Sequence, residues 1–229
     1  LDPEARHLAL TDFLGQERPV LVATVAFGMG VDRADVGLVL HLDLPSTPEG
    51  YLQESGRAGR DGKPAECLVL FSPGDRTSLG WAMQASLRRA GDDVEQRRLD
   101  LSQQQLRRME AVAEGGLCRE QALLLSVGEF SGPCGRCDRC TSPSKRKDWS
   151  SQAQILLSHL VDQDGTDMRR LGDYLSLHEP GRSDRWMWLA RRLVQDELIR
   201  ESNDGLQRLY VRDSGRLYVD DPWPLDYCA

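Results

Sequence analysis

Two guanidinium groups three residues apart, Arg57 and Arg60, sit in a segment punctuated by Gly56, Gly59 and Gly62. Arginine's planar, permanently charged fork matches the oxygens of a phosphate that gains charge during transfer, and glycines let backbone and ligand approach closely. Such a pair can grip a terminal phosphoryl group from one side. In an arbitrary sequence the same spacing describes a solvated face with surface salt bridges. A second cluster points to a metal: Cys134, Cys137 and Cys140 fall within seven residues, and Cys118 stands at the start of the preceding helical pattern. Four thiolates make a closed tetrahedral zinc site.

Clustered thiols admit other chemistries. Disulfides need an even set, and the chain reaches six cysteines only by counting Cys67 and Cys228. Cys67 falls in an apolar run, where a thiol serves as a small buried hydrophobe. Metal is therefore favoured over disulfides, and a redox switch has little behind it because thiolates held by zinc are sheltered from oxidation. With four ligands the ion has no open position, so its expected role is structural, holding two helices and a loop that lack the apolar mass to fold alone. Arg119, Arg136 and Arg139 place positive charge around the thiolates, and the amino end of a helix favours Cys118 in its ionised form.

The elements that must carry these groups are written in the patterning. Pro3 after Asp2, followed by Ala5, Leu8, Leu10, Phe13 and Leu14, predicts an amphipathic helix ending near Gly15. Val20 to Thr24 reads as a buried strand that delivers Thr24 and the Gly28-Met-Gly30 turn to the edge where open α/β sheets bind ligands. Val36 to Leu42 and Glu66 to Phe71 are two further predicted strands, with a helix between them opening on Thr47 as cap and Pro48. Strand, helix, strand in that order gives a small parallel sheet. A helix follows through Leu79, Trp81, Met83 and Leu87. Ser102-Gln-Gln-Gln105 reads as a capping box opening another, and a third runs from about Cys118 to Val127.

Residues 141–148 are polar, include Pro143, and read as a linker in which Lys145-Arg146-Lys147 is a solvated basic cluster. Beyond it come helical patterns over 153–160, 168–175 and 184–198. Strand-like pieces over 199–201, 206–211 and 216–219 follow, joined by turns at 203–205 and 213–215. Three helices and then a hairpin is the order of a winged helix.

Gln53-Glu-Ser-Gly-Arg-Ala-Gly-Arg60 resembles the arginine-finger motif of helicases built from two RecA-like lobes, and Ala26-Phe-Gly-Met-Gly-Val-Asp32 resembles the partner motif of the same lobe. Together with the cysteine spacing, these spellings resemble the RecQ family of DNA helicases. The resemblance implies an α/β fold with three parts: a partial second RecA-like lobe with a parallel sheet over 1–78, a helical zinc-binding subdomain over 79–144, and a winged-helix DNA-binding domain over 145–229. It also implies ATP-driven translocation on single-stranded DNA and duplex unwinding in recombination and repair. Arg60 and Arg57 would approach the γ-phosphate, Asp32 the ribose, and Thr24 the DNA backbone, with Gln53, Gly28 and Gly30 shaping the nucleotide site. ATP and Mg2+ belong to the complete protein, where the nucleotide sits between this lobe and the first RecA-like lobe of the same chain.

No G-x-x-x-x-G-K-[ST] loop occurs in the sequence, so these residues alone are expected neither to bind ATP tightly nor to hydrolyse it. The chain opens on Leu1 rather than Met, and so few strands lead to the expectation that more of the lobe precedes Leu1. The competing reading is a non-catalytic platform, in which zinc subdomain and winged helix dock DNA or a protein.

A net charge of −7 is the wrong sign for a simple nucleic-acid binder, so any DNA contact must rest on local clusters. In the helix over 184–198, Leu189, Leu193 and Val194 form the buried stripe, while Arg185, Trp188 and Arg192 share another face. There the arginines would meet phosphates of single strands or duplex junctions, and the indole would stack on a base. The alternative is a solvated helix with Trp188 packed against the linker or another module. The turn at 203–205 has no aromatic, which leaves a strand-separating pin without its usual residue. No apolar run reaches membrane-spanning length, and the first residues given show no basic patch followed by a hydrophobic core of the kind that marks a signal peptide. A soluble cytoplasmic protein is expected, associated with the nucleoid in a prokaryote.

Overall fold

The computed structural model describes residues 2–17, 19–24, 33–87, 93–142, 145–177, 182–202, 204 and 206–228. Helix α1 (Pro3–Gly15) starts as the sequence dictates, with the Asp2 carboxylate accepting from the Ala5 N–H at 2.8 Å and Pro3 in the first turn. Its far end is tied to the lobe by Arg33, whose guanidinium donates to the Phe13 and Gln16 carbonyls and pairs with Asp35. The Arg33 bridge holds the Asp35 carboxyl below the usual carboxylate range.

Strand β1 (Leu38–His41) and strand β2 (Glu66–Val69) pair in parallel, Leu38 opposite Glu66 and His41 opposite Val69, across helix α2 (Pro48–Ser55). Thr47 caps α2 by accepting from the Gly50 N–H at 3.0 Å. The predicted strand over 20–24 is not formed: its described residues have no sheet partner, and Val20 and Val22 are 90% and 86% exposed. An apolar run becomes a strand only where a neighbour satisfies its backbone. One face of the two-stranded sheet is open as well: Leu38, Leu40, Leu68 and Leu70 alternate onto it and are about half exposed, while Val69 on the other face packs against the first core. Cys67, expected to be buried, is instead exposed, its thiol directed at the Ser55 carbonyl.

Helices α3 (Pro73–Leu87) and α4 (Asp93–Glu114) follow, and the predicted cap at Ser102 does not break α4. Leu99, Leu106, Met109 and Val112 form one continuous buried stripe on either side of Ser102, and packing that stripe outweighs a local cap. With Leu44 and Tyr51 from the α2 region and Leu123 from helix α5 (Arg119–Ser126), the α4 residues Leu106, Met109 and Val112 make the first core. Short helix α6 (Asp138–Thr141) closes the cysteine loop and has no buried residue.

The expected linker ends in a strand. Strand β3 (Arg146–Asp148) pairs antiparallel with strand β7 (Asp226–Cys228), a partner some 80 residues away that periodicity could not reveal (Arg146 opposite Cys228, Asp148 opposite Asp226). Between them lies the winged helix: α7 (Ser150–Asp162), β4 (Thr166–Asp167), α8 (Met168–Leu175), α9 (Ser183–Gln195), β5 (Ile199–Glu201) and β6 (Arg208–Val211). The sheet order is β4-β6-β5. The second core fills it with Trp149, Leu156, Leu160, Leu171, Leu175, Leu189, Leu193 and Tyr218 among others. The piece predicted as a third strand over 216–219 is instead helix α10 (Asp213–Asp220), which buries Gly215 and Tyr218 and leaves Leu217 exposed. A side chain at Gly215 would meet the Leu198 carbonyl oxygen at 2.2 Å, so the helix start is pressed onto the chain before β5.

At the α8–α9 crossing a Cβ on Gly172 would lie 2.9 Å from both Met187 Cγ and Ser183 Oγ. Gly172→Ala is expected to destabilise the winged helix by about 1–3 kcal/mol through overpacking, read as a lower urea midpoint at unchanged slope.

Candidate functional site

The arginine-bearing loop grows out of the end of α2. Gly56 caps the helix with its N–H on the Leu52 carbonyl at 2.9 Å, and a Cβ there would press to 2.8 Å from the same oxygen. Gly59 takes φ +64°, a left-handed conformation that favours glycine. Two backbone bonds then stitch the loop to the segment leading into β1: Gly59 N–H to the Val36 carbonyl and Asp61 N–H to the Ala34 carbonyl, each 3.0 Å. Asp61 further accepts from the Lys63 N–H, which lowers its carboxyl pKa. A hydrogen bond of 2.7 Å between His41 Nε2 and Glu54 Oε2 fastens the last turn of α2 to β1, and the Tyr51 ring covers the imidazole at 5.2 Å.

Along this rigid stretch Gln53 is exposed on α2, Arg57 is half-buried, and Arg60 is exposed with its Nε donating to the Gly56 carbonyl at 3.3 Å. Thr24 is exposed ahead of the loop. Gly28, Gly30 and Asp32 lie outside the described residues. Sequence reading missed the His41–Glu54 pair; Glu54 stands inside the arginine motif, but its partner is a strand residue 13 positions away.

The cysteine cluster closes as a quartet. The sulfurs of Cys118, Cys134, Cys137 and Cys140 lie within 4.8 Å of one another, and those of Cys118 and Cys137 are 3.8 Å apart. Four sulfurs about 2.3 Å from a shared centre at tetrahedral angles sit roughly 3.8 Å from each other, so the donor set fits zinc, while a disulfide needs about 2.05 Å. None of the six cysteines is in a disulfide. Backbone N–H groups aim at the sulfurs: Cys134 donates to Cys118 at 3.2 Å, Cys137 to Cys134 at 3.4 Å, and Arg119 to Cys137 at 3.4 Å. Gly135 at φ +73° makes the turn between two ligands.

Burial alone would push the Cys118 thiol up, but N–H donors from Gln121 and Cys134 outweigh it and bring it down to about 6. At Cys140 the Gly135 N–H pulls down, yet burial and the neighbouring thiols push it up to about 12. Four sulfurs this close repel one another as anions, and a divalent cation removes that conflict.

The three arginines expected to offset thiolate charge also brace the loop, and Arg136 is held in its charged form by Glu120 first and by the Cys134 thiolate as well. Arg119 grips Asp138 through two nitrogens, at 2.9 and 2.7 Å, and donates to the Val112 and Ala113 carbonyls. Arg139 donates to the Glu114 carbonyl at 3.1 Å, and Arg136 pairs with exposed Glu120. The Arg119 fork lowers the Asp138 carboxyl pKa. On α9, the structure stacks Arg185 over the buried Trp149 ring at 4.4 Å, tilts Trp188 against the same ring at 4.8 Å, and sets Arg192 near Trp188 at 5.9 Å. The three residues therefore share a face. That face is packed rather than open, with Trp188 also edge-on to Tyr227 and Arg192 6% exposed against Glu114. No described helix is long and apolar enough to cross a membrane.

Comparison with known proteins identifies two segments of the chain. Residues 1–62 match the family described as helicase conserved C-terminal domain, and residues 73–141 match the one described as RecQ zinc-binding. The chain is 38% identical over 150 residues to the ATP-dependent DNA helicase RecQ of Bacillus subtilis, covering 65% of this chain and 24% of that protein. Against the RecQ of Pasteurella multocida it is 38% identical over 179 residues, 78% of this chain and 26% of that one. Against the ATP-dependent DNA helicase Q5 of Rattus norvegicus it is 35% identical over 148 residues, with 63% and 15% covered. The chain thus spans about a quarter of the length of these bacterial relatives.

Zinc here is structural, so its removal should unfold the quartet's surroundings. Chelation is expected to release about one zinc per chain together with a loss of far-UV helical signal. Complete metal loss with the helical signal intact would refute a structural role.

Proposed function

Because this chain carries the C-terminal helicase and zinc-binding segments of the RecQ family, we propose that it forms the part of an ATP-dependent DNA helicase that senses nucleotide and grips DNA. The observation that carries this reading is the loop at 56–62, where glycine geometry and backbone bonds to Ala34 and Val36 fix two arginines in place before any ligand arrives. Preorganised charge aimed at a developing phosphoryl anion supplies most of the rate enhancement in such chemistry. Arg60 and Arg57 face the γ-phosphate of ATP held by the first RecA-like lobe of the same full-length chain, which supplies the phosphate loop and the Mg2+ site. Asp32 and Gln53 contact the nucleotide, and Gly28 and Gly30 shape the turn beside it. Thr24, in the segment before that turn, touches the DNA backbone, so closing and opening the cleft moves the DNA by a step.

The winged helix is the second grip, on single strands and duplex junctions during recombination and repair. Arg185 makes the phosphate contact, its guanidinium held over the Trp149 ring, against which Trp188 also packs. Arg192, engaged by Glu114, positions α9 rather than touching DNA. The exposed leucines of β1 and β2 favour further lobe structure packing against this sheet. Without a phosphate loop of its own the isolated chain does not turn over ATP, and DNA-stimulated hydrolysis by it would remove this division of labour between lobes.

Arg60→Ala in the complete helicase is expected to lower kcat for DNA-stimulated ATP hydrolysis by about 10³- to 10⁵-fold, with DNA affinity within about twofold of the parent. Hydrolysis and strand opening at the parental rate would sink the proposal and leave the non-catalytic docking platform in its place.

A further inference from the structure

Glu114, the last residue of α4, is bonded from two directions. Its backbone carbonyl accepts from Arg139, the neighbour of Cys140, while its carboxylate takes a two-pronged bond from Arg191 (3.0 and 2.7 Å) and a third from Arg192 (3.1 Å), both on α9. The two carbonyls at Val112 and Ala113 accept from Arg119, the neighbour of Cys118. One turn earlier Glu110, 1% exposed, pairs with Arg76 of α3 at 3.0 Å and lies 3.7 Å from Arg191; Arg76 also pairs with Glu201 of β5. Three guanidinium groups and three carboxylates are therefore buried together where α3, α4 and the winged helix meet. Gly115 leaves the space: a Cβ there would lie 2.3 Å from the Ala111 carbonyl and 3.8 Å from Arg192 Nη1.

A buried carboxylate facing two arginines cannot be lost quietly, since removing one member leaves uncompensated charge out of water. Nor can its backbone shift without disturbing Arg139, which is covalently next to a zinc ligand. We propose that Glu114 is the positioning residue through which the zinc-bound loop holds the winged helix in place, so that zinc binding and winged-helix docking act as one cooperative unit. This coupling is independent of nucleotide. Its consequence, that zinc also sets the orientation of the DNA grip, rests on the reading of α9 given above.

The test is a two-by-two cycle on the zinc-loaded chain, wild type and Glu114→Gln, each with and without chelator. The readouts are bound zinc and the rotational correlation times of backbone amides in 93–141 and in 150–220, taken from ¹⁵N relaxation. In the wild type the two sets are expected to share one correlation time, and chelation is expected to shorten that of the winged helix roughly twofold as the domain tumbles free. In Glu114→Gln zinc stays bound, the winged helix is already free, and chelation adds nothing. A shared correlation time in zinc-loaded Glu114→Gln overturns the proposal, and so does loss of zinc from that variant, because Glu114 would then belong only to the metal module. Should the variant fail to fold, Arg191→Gln with Arg192→Gln removes the same bonds from the α9 side and is read identically. Oligonucleotide binding by the wild-type chain is measured beside the cycle; its absence would overturn the DNA reading while the cycle still decides the role of Glu114.

Discussion

Four thiolates around one small volume are the constraint on which this chain is built. Residues 127–141 contribute no buried apolar side chain to the neighbouring core, and α6 buries nothing. A loop with so little hydrophobic content cannot offset its own ordering entropy. Zinc binding supplies what burial does not, and because the ligands come from the start of α5 and from the 134–140 knuckle, the ion pins the knuckle against α5. Arg119 and Arg139 then carry that rigidity to the last carbonyls of α4, groups that every helix end leaves without partners.

From α4 the rigidity spreads both ways. Leu106, Met109 and Val112 hold Tyr51 and Leu44, which puts the back of α2 on the zinc helices and its front, with the arginine loop, toward solvent. In the other direction Glu110 and Glu114 meet α9. A two-stranded parallel sheet open on one face would by itself be a poor base for two charges that must stay in place. The loop is steadied instead by its backbone bonds to residues 34–36, by the His41–Glu54 pair, and by the helix packed behind it.

The junction between zinc module and winged helix is ionic where an apolar seam would have been the stronger glue. Burial pushes the Glu110 carboxyl up and the Arg76 and Arg192 guanidinium groups down, each against the pull of its partners. Replacing buried ion pairs by well-packed hydrophobes is often neutral or stabilising, so their merit lies in geometry. A planar fork on a carboxylate admits one arrangement, whereas a greasy face can slide. An orientation fixed in this way suits a module whose proposed task is to present one face to a nucleic acid.

The sequence by itself determined what depends on neighbours a few residues away. Asp2 and Thr47 as caps, the β1-α2-β2 order, the four cysteines at metal spacing and the three helices of the winged helix follow from local chemistry and periodicity, and each stands where its residues place it. Tertiary structure decided the rest, because those outcomes hang on partners far along the chain. Residues 20–24 remain outside any described sheet, and 216–219 becomes a helix since Tyr218 is buried, with its hydroxyl on the Ser150 carbonyl, in place of joining a sheet. Ser102 lies inside α4 because Leu99 and Leu106 need one unbroken stripe. Arg192 shows the limit most plainly. Its spacing from Arg185 and Trp188 put it on a shared face, but whether that guanidinium meets water, phosphate or a carboxylate was settled by Glu114, 78 residues earlier.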